Sequence, residues 1–298
     1  MRILYKFILI NIYMNIKISE KDIYDSNINI FGNWINNEQE VFTDPFKYCI
    51  IENFFEDNYY EKLKKIYPEK PNNHFWKYEN PLEVKYALDN INIMNNDIKN
   101  IFYALSHDTL VTKFQKIFNI DKLEYDEFLH GGGLHIMPKN GRLNMHLDYE
   151  KHPHVDKQRM LNIIYFVNEY WEESWKGDLQ LWNKNMEKCV KKIFPKKNRA
   201  VIFETIENSW HGVPDKINCP DDEYRKTIAY YYLCPLSNSP NKNKLGANDN
   251  GFREKAYYIK RPNDIYNEKM QKIYDIRPFR RITDKDMKEI WPDWNRNI

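Results

Sequence analysis

The chain has 298 residues, enough for one generous domain or a core with two elaborations and a substantial buried interior. Its 45 basic and 43 acidic residues leave a formal net charge of +2, which gives no electrostatic case for a nucleic-acid partner or for a membrane surface. With 30% charged and 15% aromatic residues the composition excludes long disorder.

Residues 3–13 are apolar, but Lys6 and Asn11 interrupt them, the stretch is far short of a bilayer span, and no small-residue cleavage site follows. Met14 offers an alternative start, so residues 1–20 read as a dispensable extension of a soluble, cytoplasmic protein with no membrane partner. Residues 47–54 predict a strand. Over 56–67 apolar residues recur at helical spacing through Tyr59, Tyr60, Leu63 and Ile66 until Pro68 stops them. Residues 96–105 and 109–118 predict two more helices, with Ser106 and Asp108 as caps at the break. Residues 21–129 would thus form a strand with supporting helices. From 132 the period changes to two, and strands are expected at 132–138, 142–148, 159–168, 177–182, 190–194, 199–205 and 225–234. Many short strands at close spacing favour a sandwich or barrel over a parallel sheet, that is, a mainly β fold with flanking helices. Residues 237–244 have loop composition and end the core, placed at 130–236. The remaining segment, 237–298, predicts a short strand at 256–259 and helices at 264–274 and 284–290, and could serve as a lid or a contact element.

Cys49, Cys189, Cys219 and Cys234 are scattered, with no Cys-x-x-Cys pair, and read as reduced thiols suited to a reducing compartment.

Four polar residues interrupt segments that otherwise read as buried strands. His146 and Asp148 are two apart in an alternating run and share a face, opposite Leu143, Met145 and Leu147. The strong strand at 199–205 leads through a short turn to His211. Two imidazoles and one carboxylate on one face of a metal leave three positions open, the arrangement of non-haem Fe(II) oxygenases, whereas a structural zinc site fills its fourth position. Arg225 heads a run in which Arg225, Thr227, Ala229 and Tyr231 share one face. A guanidinium on the inner face of a strand needs an anionic partner, because it cannot shed its proton, and a carboxylate ligand would supply a two-pronged one.

Taken in order, His146-Leu147-Asp148, His211 and Arg225 resemble the signature of the Fe(II)/2-oxoglutarate-dependent dioxygenases. Residues 159–168 resemble the strand that follows the first two ligands in the prolyl-4-hydroxylase-like branch. Gly177-Asp178-Leu179-Gln180-Leu181-Trp182 resembles its hairpin strand, and Gly131-Gly132-Gly133-Leu134-His135 resembles the entry to the core in a bacterial and viral subgroup. The resemblance covers roughly residues 130 to 235. It implies a double-stranded β-helix, a jelly-roll or cupin-like core, in which His146, Asp148 and His211 bind Fe(II) as the metal ligands. It also implies that 2-oxoglutarate chelates the metal and pairs its far carboxylate with Arg225, that O2 is the oxidant, and that ascorbate could serve as reductant. Prolyl hydroxylases often place a tyrosine on the second strand beside that carboxylate. Here the register puts Phe166 there and turns Tyr165 the other way, so Thr227, Asn162 or His135 would supply the contact.

The implied activity is hydroxylation of an unactivated C–H bond, on a prolyl residue of a protein or peptide, or on a glycan, free amino acid or other small-molecule substrate. Repair of alkylated nucleobases fits less well without a basic excess. A non-catalytic jelly-roll binding module is the rival from another class, and the intact set of four side chains argues against it. His152 and His154 flank Pro153 and read as solvated loop imidazoles, not a cupin His-x-His site. The glycines at 131–133 read as a tight bend. Trp171, Trp175 and Trp182 read as packing residues around the Gly177 hairpin.

Overall fold

The alternation along the strands becomes a sheet with one face against helices and the other turned inward. In the computed structural model, which describes residues 17–237, 241–264 and 266–297, strand β7 (Lys157–Phe166) sends Leu161, Ile163 and Tyr165 into the main hydrophobic core. The stretch at 3–13 and Met14 lie outside the described residues. Strand β12 (Arg225–Pro235) behaves likewise, with Ile228, Tyr230 and Tyr232 in that core and Arg225, Thr227, Ala229 and Tyr231 on the inner face. Strands β1 (Tyr48–Ile51) and β10 (Arg199–Glu204) continue the sheet beside β7. There Ala200 and Ile202 join the outer core, while Val201 and Phe203 pack with Phe166, Leu179 and Leu181 in a second, inner cluster.

Helices α2 (Asp57–Ile66), α3 (Asn96–Ser106) and α4 (Asp108–Phe118) cover the outer face through Leu63, Phe102, Leu105, Phe114 and Phe118, following the short α1 (Glu20–Tyr24). Between α3 and α4 the expected caps are corrected. His107 caps α4, its Nδ1 accepting the Thr109 N–H at 3.2 Å, while Ser106 turns inward and its hydroxyl reaches Phe102 O and Tyr230 Oη.

All strand pairs are antiparallel, and the sheet curls on itself in the order β1-β10-β7-β12-β5-β3-β6-β11-β8-β9, with β5 (Gly133–Met137), β3 (Glu83–Leu88), β6 (Arg142–Leu147), β11 (His211–Val213), β8 (Leu179–Trp182) and β9 (Cys189–Ile193). This is the double-stranded β-helix expected for the core. Strand β3 forms a hairpin with β2 (Trp76–Asn80) and bridges β5 to β6. That seam comes from a segment expected to hold only helices and one strand. Gly133 makes it possible: with φ +90°, a side chain there would meet the Leu88 carbonyl at 2.0 Å. A two-residue β4 (Glu124–Tyr125) pairs with β12.

The C-terminal segment docks on the core. Strand β13 (Tyr257–Tyr258) pairs with β6, and α5 (Glu268–Ile276) packs Met270 and Ile273 with Leu82 and Tyr258. A capping box of Thr283 and Asp286 opens α6 (Asp284–Ile290). Among the described residues no helix is long and apolar enough to cross a membrane, and all four cysteines are free.

Candidate metal centre

Strands β6 and β11 pair with His146 directly opposite His211, so the two rings leave the sheet on one face with centroids 4.4 Å apart. Asp148 follows immediately after β6. Its Oδ1 lies 3.6 Å from His146 Nε2 and its Oδ2 3.7 Å from His211 Nε2. All three residues are buried, and theirs is the one group of metal-type donors found within 4.8 Å of one another among the described residues.

The tautomers follow from the hydrogen bonds. His146 Nδ1 faces the Asn144 carbonyl at 2.9 Å and His211 Nδ1 faces the Ser209 carbonyl at 2.8 Å. A carbonyl only accepts, so each Nδ1 donates, and Nε2 is the nitrogen that each ring turns toward Asp148. Metal-binding histidines are held in this way through their second nitrogen. Burial, aided by neighbouring His146, pushes His211 down to about 4, which keeps it neutral at physiological pH. Burial also pushes the Asp148 carboxyl up, but its surroundings, with His146, His211 and Arg159 close by, outweigh it, so Asp148 stays ionised. A neutral imidazole, as at His211, and an ionised carboxylate are the forms that a divalent metal takes.

Arg225 occupies the same inner face, two residues from Thr227. Its Nε donates to the Gly177 carbonyl at 2.8 Å, and its guanidinium carbon lies 5.1 Å from the Phe166 ring centroid. Its Nη2 is buried without any hydrogen-bond partner, and no carboxylate lies within ion-pair distance among the described residues. Burial pushes its pKa down to about 10, leaving it charged at neutral pH. An orphaned buried cation of this kind fits the carboxylate of a ligand.

The remaining expected contacts divide. Phe166, Thr227, His135 and Ala87 form one row across β7, β12, β5 and β3, so His135 and Thr227 share the inner face with Arg225. Burial, with Lys85 and Arg225 nearby, pushes His135 down to about 3, and Asp148 also acts on it, so a neutral imidazole stands within electrostatic reach of both ends of the site. Asn162 is placed differently: its Nδ2 donates to Asp148 Oδ2 at 3.2 Å and to Tyr231 Oη at 3.1 Å. It therefore braces the Asp148 carboxylate and has no hydrogen bond to Arg225. As the register foretold, Phe166 faces inward, and Tyr165 reaches Asn198 in the outer core.

One expectation is overturned. His152 is 1% exposed, with Nδ1 accepting the His154 N–H and Nε2 3.3 Å from the equally buried Asp126 Oδ1. It is a core histidine, drawn in by a carboxylate 26 positions earlier that local sequence does not reveal. His154, in contrast, is exposed. Trp171 and Trp182 are buried packing residues as expected.

Several neighbours of the site escaped sequence reasoning. Arg159 stands 3.6 Å from Asp148 Oδ1, with the rings of Tyr149 and Tyr231 3.5 and 3.3 Å from its guanidinium carbon. No periodic signal marked it, since Arg159 shares the parity of Leu161, Ile163 and Tyr165, and only a register shift between β7 and β12 breaks that alternation. Tyr67 caps the end of α2 and donates its hydroxyl toward the carbonyls of His135 and Thr227. Phe203 lies against His211 and Tyr258 against His146, with ring centroids 4.7 and 5.2 Å apart.

Comparison with known proteins agrees with this geometry. Residues 132–233 match the family model described as the 2OG-Fe(II) oxygenase superfamily. No curated protein matches the chain. Among solved structures, a Pseudomonas putida prolyl-4-hydroxylase is similar at 12% identity and a TM-score of 0.46, covering 70% of this chain and 99% of that one. A Phytophthora capsici prolyl 4-hydroxylase is similar at 15% identity and 0.45, over 76% and 69%. HygX from Streptomyces hygroscopicus, solved with nickel, 2-oxoglutarate and hygromycin B, is similar at 13% and 0.42, over 65% and 85%. Residues 132–233, which carry both histidines, the carboxylate and the arginine, are the part that matches the 2OG-Fe(II) oxygenase superfamily, and this match supports an Fe(II)- and 2-oxoglutarate-dependent dioxygenase.

Proposed function

We propose that His146, Asp148 and His211 hold the ferrous ion, that Arg225 receives the far carboxylate of 2-oxoglutarate, and that the enzyme hydroxylates a prolyl side chain in a protein or peptide. The observation that carries the reading is the pairing of a converged, buried donor triad with a buried arginine whose Nη2 has no partner. The metal and co-substrate supply the activation of O2, with 2-oxoglutarate leaving as succinate and carbon dioxide. The chain's own residues hold and orient. Backbone carbonyls of Asn144 and Ser209 fix the imidazoles, Asn162 and Arg159 fix the carboxylate, and the inner face around Phe166, Thr227 and His135 lines the way from the triad to Arg225.

The prolyl assignment rests on the resemblance of residues 159–168 and of the Gly177 hairpin to the prolyl-4-hydroxylase-like branch. A cavity of about 750 Å³ is walled by the C-terminal segment and includes Tyr258, the ring stacked on His146, in its lining.

The test begins with anaerobic titration of apo-protein by Fe(II) and 2-oxoglutarate, watching for the visible charge-transfer band of the chelate, followed by oxygen and a succinate assay. A panel of proline-containing peptides, free amino acids and oligosaccharides is then screened by mass spectrometry for gain of one oxygen atom. Oxygen gain on peptides at proline is expected. Gain confined to sugars or free amino acids would overturn the prolyl assignment while leaving the chemistry in place.

A further inference from the structure

We infer that the C-terminal segment is a working part of the metal centre, with Tyr258 as a positioning residue for His146 and Glu83 and Arg277 as the anchor that holds Tyr258 there. The inference rests on the assignment of His146 as a metal ligand. It concerns residues outside 132–233, the part that the superfamily accounts for.

The two imidazoles are held alike at one edge and differently on one face. Each donates Nδ1 to the carbonyl two residues earlier, which fixes its tautomer but leaves the ring free to rock about that bond. For His211 the face is covered by Phe203, a fully buried residue of β10 in the oxygenase core. For His146 it is covered by Tyr258, stacked at 5.2 Å with an interplanar angle of 23°. Tyr258 can do this because β13 pairs with β6 in a register that sets it directly opposite His146, on the same face of the sheet.

A two-residue strand is a weak tether, so the position of Tyr258 needs another source. Its hydroxyl donates to Glu83 Oε2 at 3.1 Å, and Arg277 Nε donates to Glu83 Oε1 at 3.3 Å. The Arg277 guanidinium also lies 4.9 Å from the centroid of the Tyr258 ring. Glu83, Tyr258 and Arg277 are 2, 5 and 7% exposed. A buried carboxylate with two committed donors allows little choice of geometry. Its members come from β3, β13 and the C-cap of α5, so the network ties the barrel seam and the C-terminal helix to one ring beside the metal site.

Outer partners of metal-binding histidines typically contribute about ten- to a hundredfold in metal affinity. The experiment is a Co(II) titration of the full-length apo-protein, read by d–d absorption and by calorimetry, for wild type, Tyr258→Phe, Tyr258→Leu and Arg277→Met. The Phe variant keeps the ring but cuts its bond to Glu83, so its affinity is expected to fall less than that of the Leu variant, by about threefold. The Leu variant keeps the packing volume without the stacked ring, and its affinity is expected to fall about tenfold with an altered d–d band. Arg277→Met should fall between them. A folded Leu variant, checked by circular dichroism, that binds Co(II) like wild type would overturn the inference. Should the Leu variant fail to fold, Arg277→Met decides, and unchanged affinity there has the same meaning. Wild-type protein that takes up no Co(II) would instead sink the metal centre itself, and this inference with it.

Discussion

Replacing Arg225 by Met is the perturbation with the sharpest two-sided consequence. Without ligand, Arg225 is 3% exposed, charged and unpaired at Nη2, and burial pushes its pKa from 12.5 down to about 10. That fall corresponds to roughly 3 kcal/mol against the charged form. Methionine removes this cost and fills similar space, but forfeits the hydrogen bond to Gly177 O and the contact with Phe166, each about 1 kcal/mol. The ligand-free variant should therefore be about 1 kcal/mol more stable than wild type in urea unfolding at neutral pH. The sign is fixed by linkage: the folded pKa is depressed, so the charge penalises the folded state below about 10, and the variant's gain fades as pH rises past that value. Binding of 2-oxoglutarate moves the other way. Each hydrogen bond to its carboxylate contributes about 1.5–3 kcal/mol, so the dissociation constant in manganese-loaded protein should rise about ten- to a hundredfold or more. A variant that loses 2 kcal/mol or more without ligand, by about the standard of a lost structural contact, yet binds 2-oxoglutarate like wild type, would show that Arg225 is a packing residue.

Asp148→Ala should abolish succinate formation, and full turnover in that variant would dismiss the proposed ligand set. His152→Leu removes the partner of buried Asp126 and should cost about 3 kcal/mol in urea unfolding; a loss below about 1 kcal/mol would mean that the two groups do not depend on each other. Gly177→Ala adds a methyl group at φ +85°, 3.2 Å from Arg225 Cδ, and should both destabilise by about 1–2 kcal/mol and raise the KM for 2-oxoglutarate. An unchanged KM there would show that the hairpin does not position Arg225.

Much of the core was legible because its strands obey a period of two with apolar residues on the covered face. The alternation around Leu143, Met145 and Leu147 placed His146 and Asp148 together, and that in β12 placed Arg225 with Thr227. The β2–β3 hairpin was not legible, since β3 turns Glu83 and Lys85 toward the barrel interior, where polar residues blur the alternation that marks a strand. His152 was misjudged for a related reason. Pro153 and the flanking lysines describe a loop correctly, but whether a loop side chain is buried depends on what the distant chain brings to it. Tyr258 sits in a strand of two residues, too short for any periodic signal, and its importance is entirely one of tertiary neighbours.

The β3 seam also bears on how this protein can be handled and how it folds. The family match begins at residue 132, but among the described residues the sheet bridge between β5 and β6 is formed by residues 83–88, with Glu83 opposite Leu143 and Leu88 opposite Leu134. A fragment cut at the family boundary would retain every proposed ligand and still expose two unpaired strand edges, an invitation to self-association. The smallest autonomous unit is therefore larger than the homologous one. Closing it requires pairing across some sixty positions of chain, which predicts slow, late formation of the barrel relative to the helices that back it.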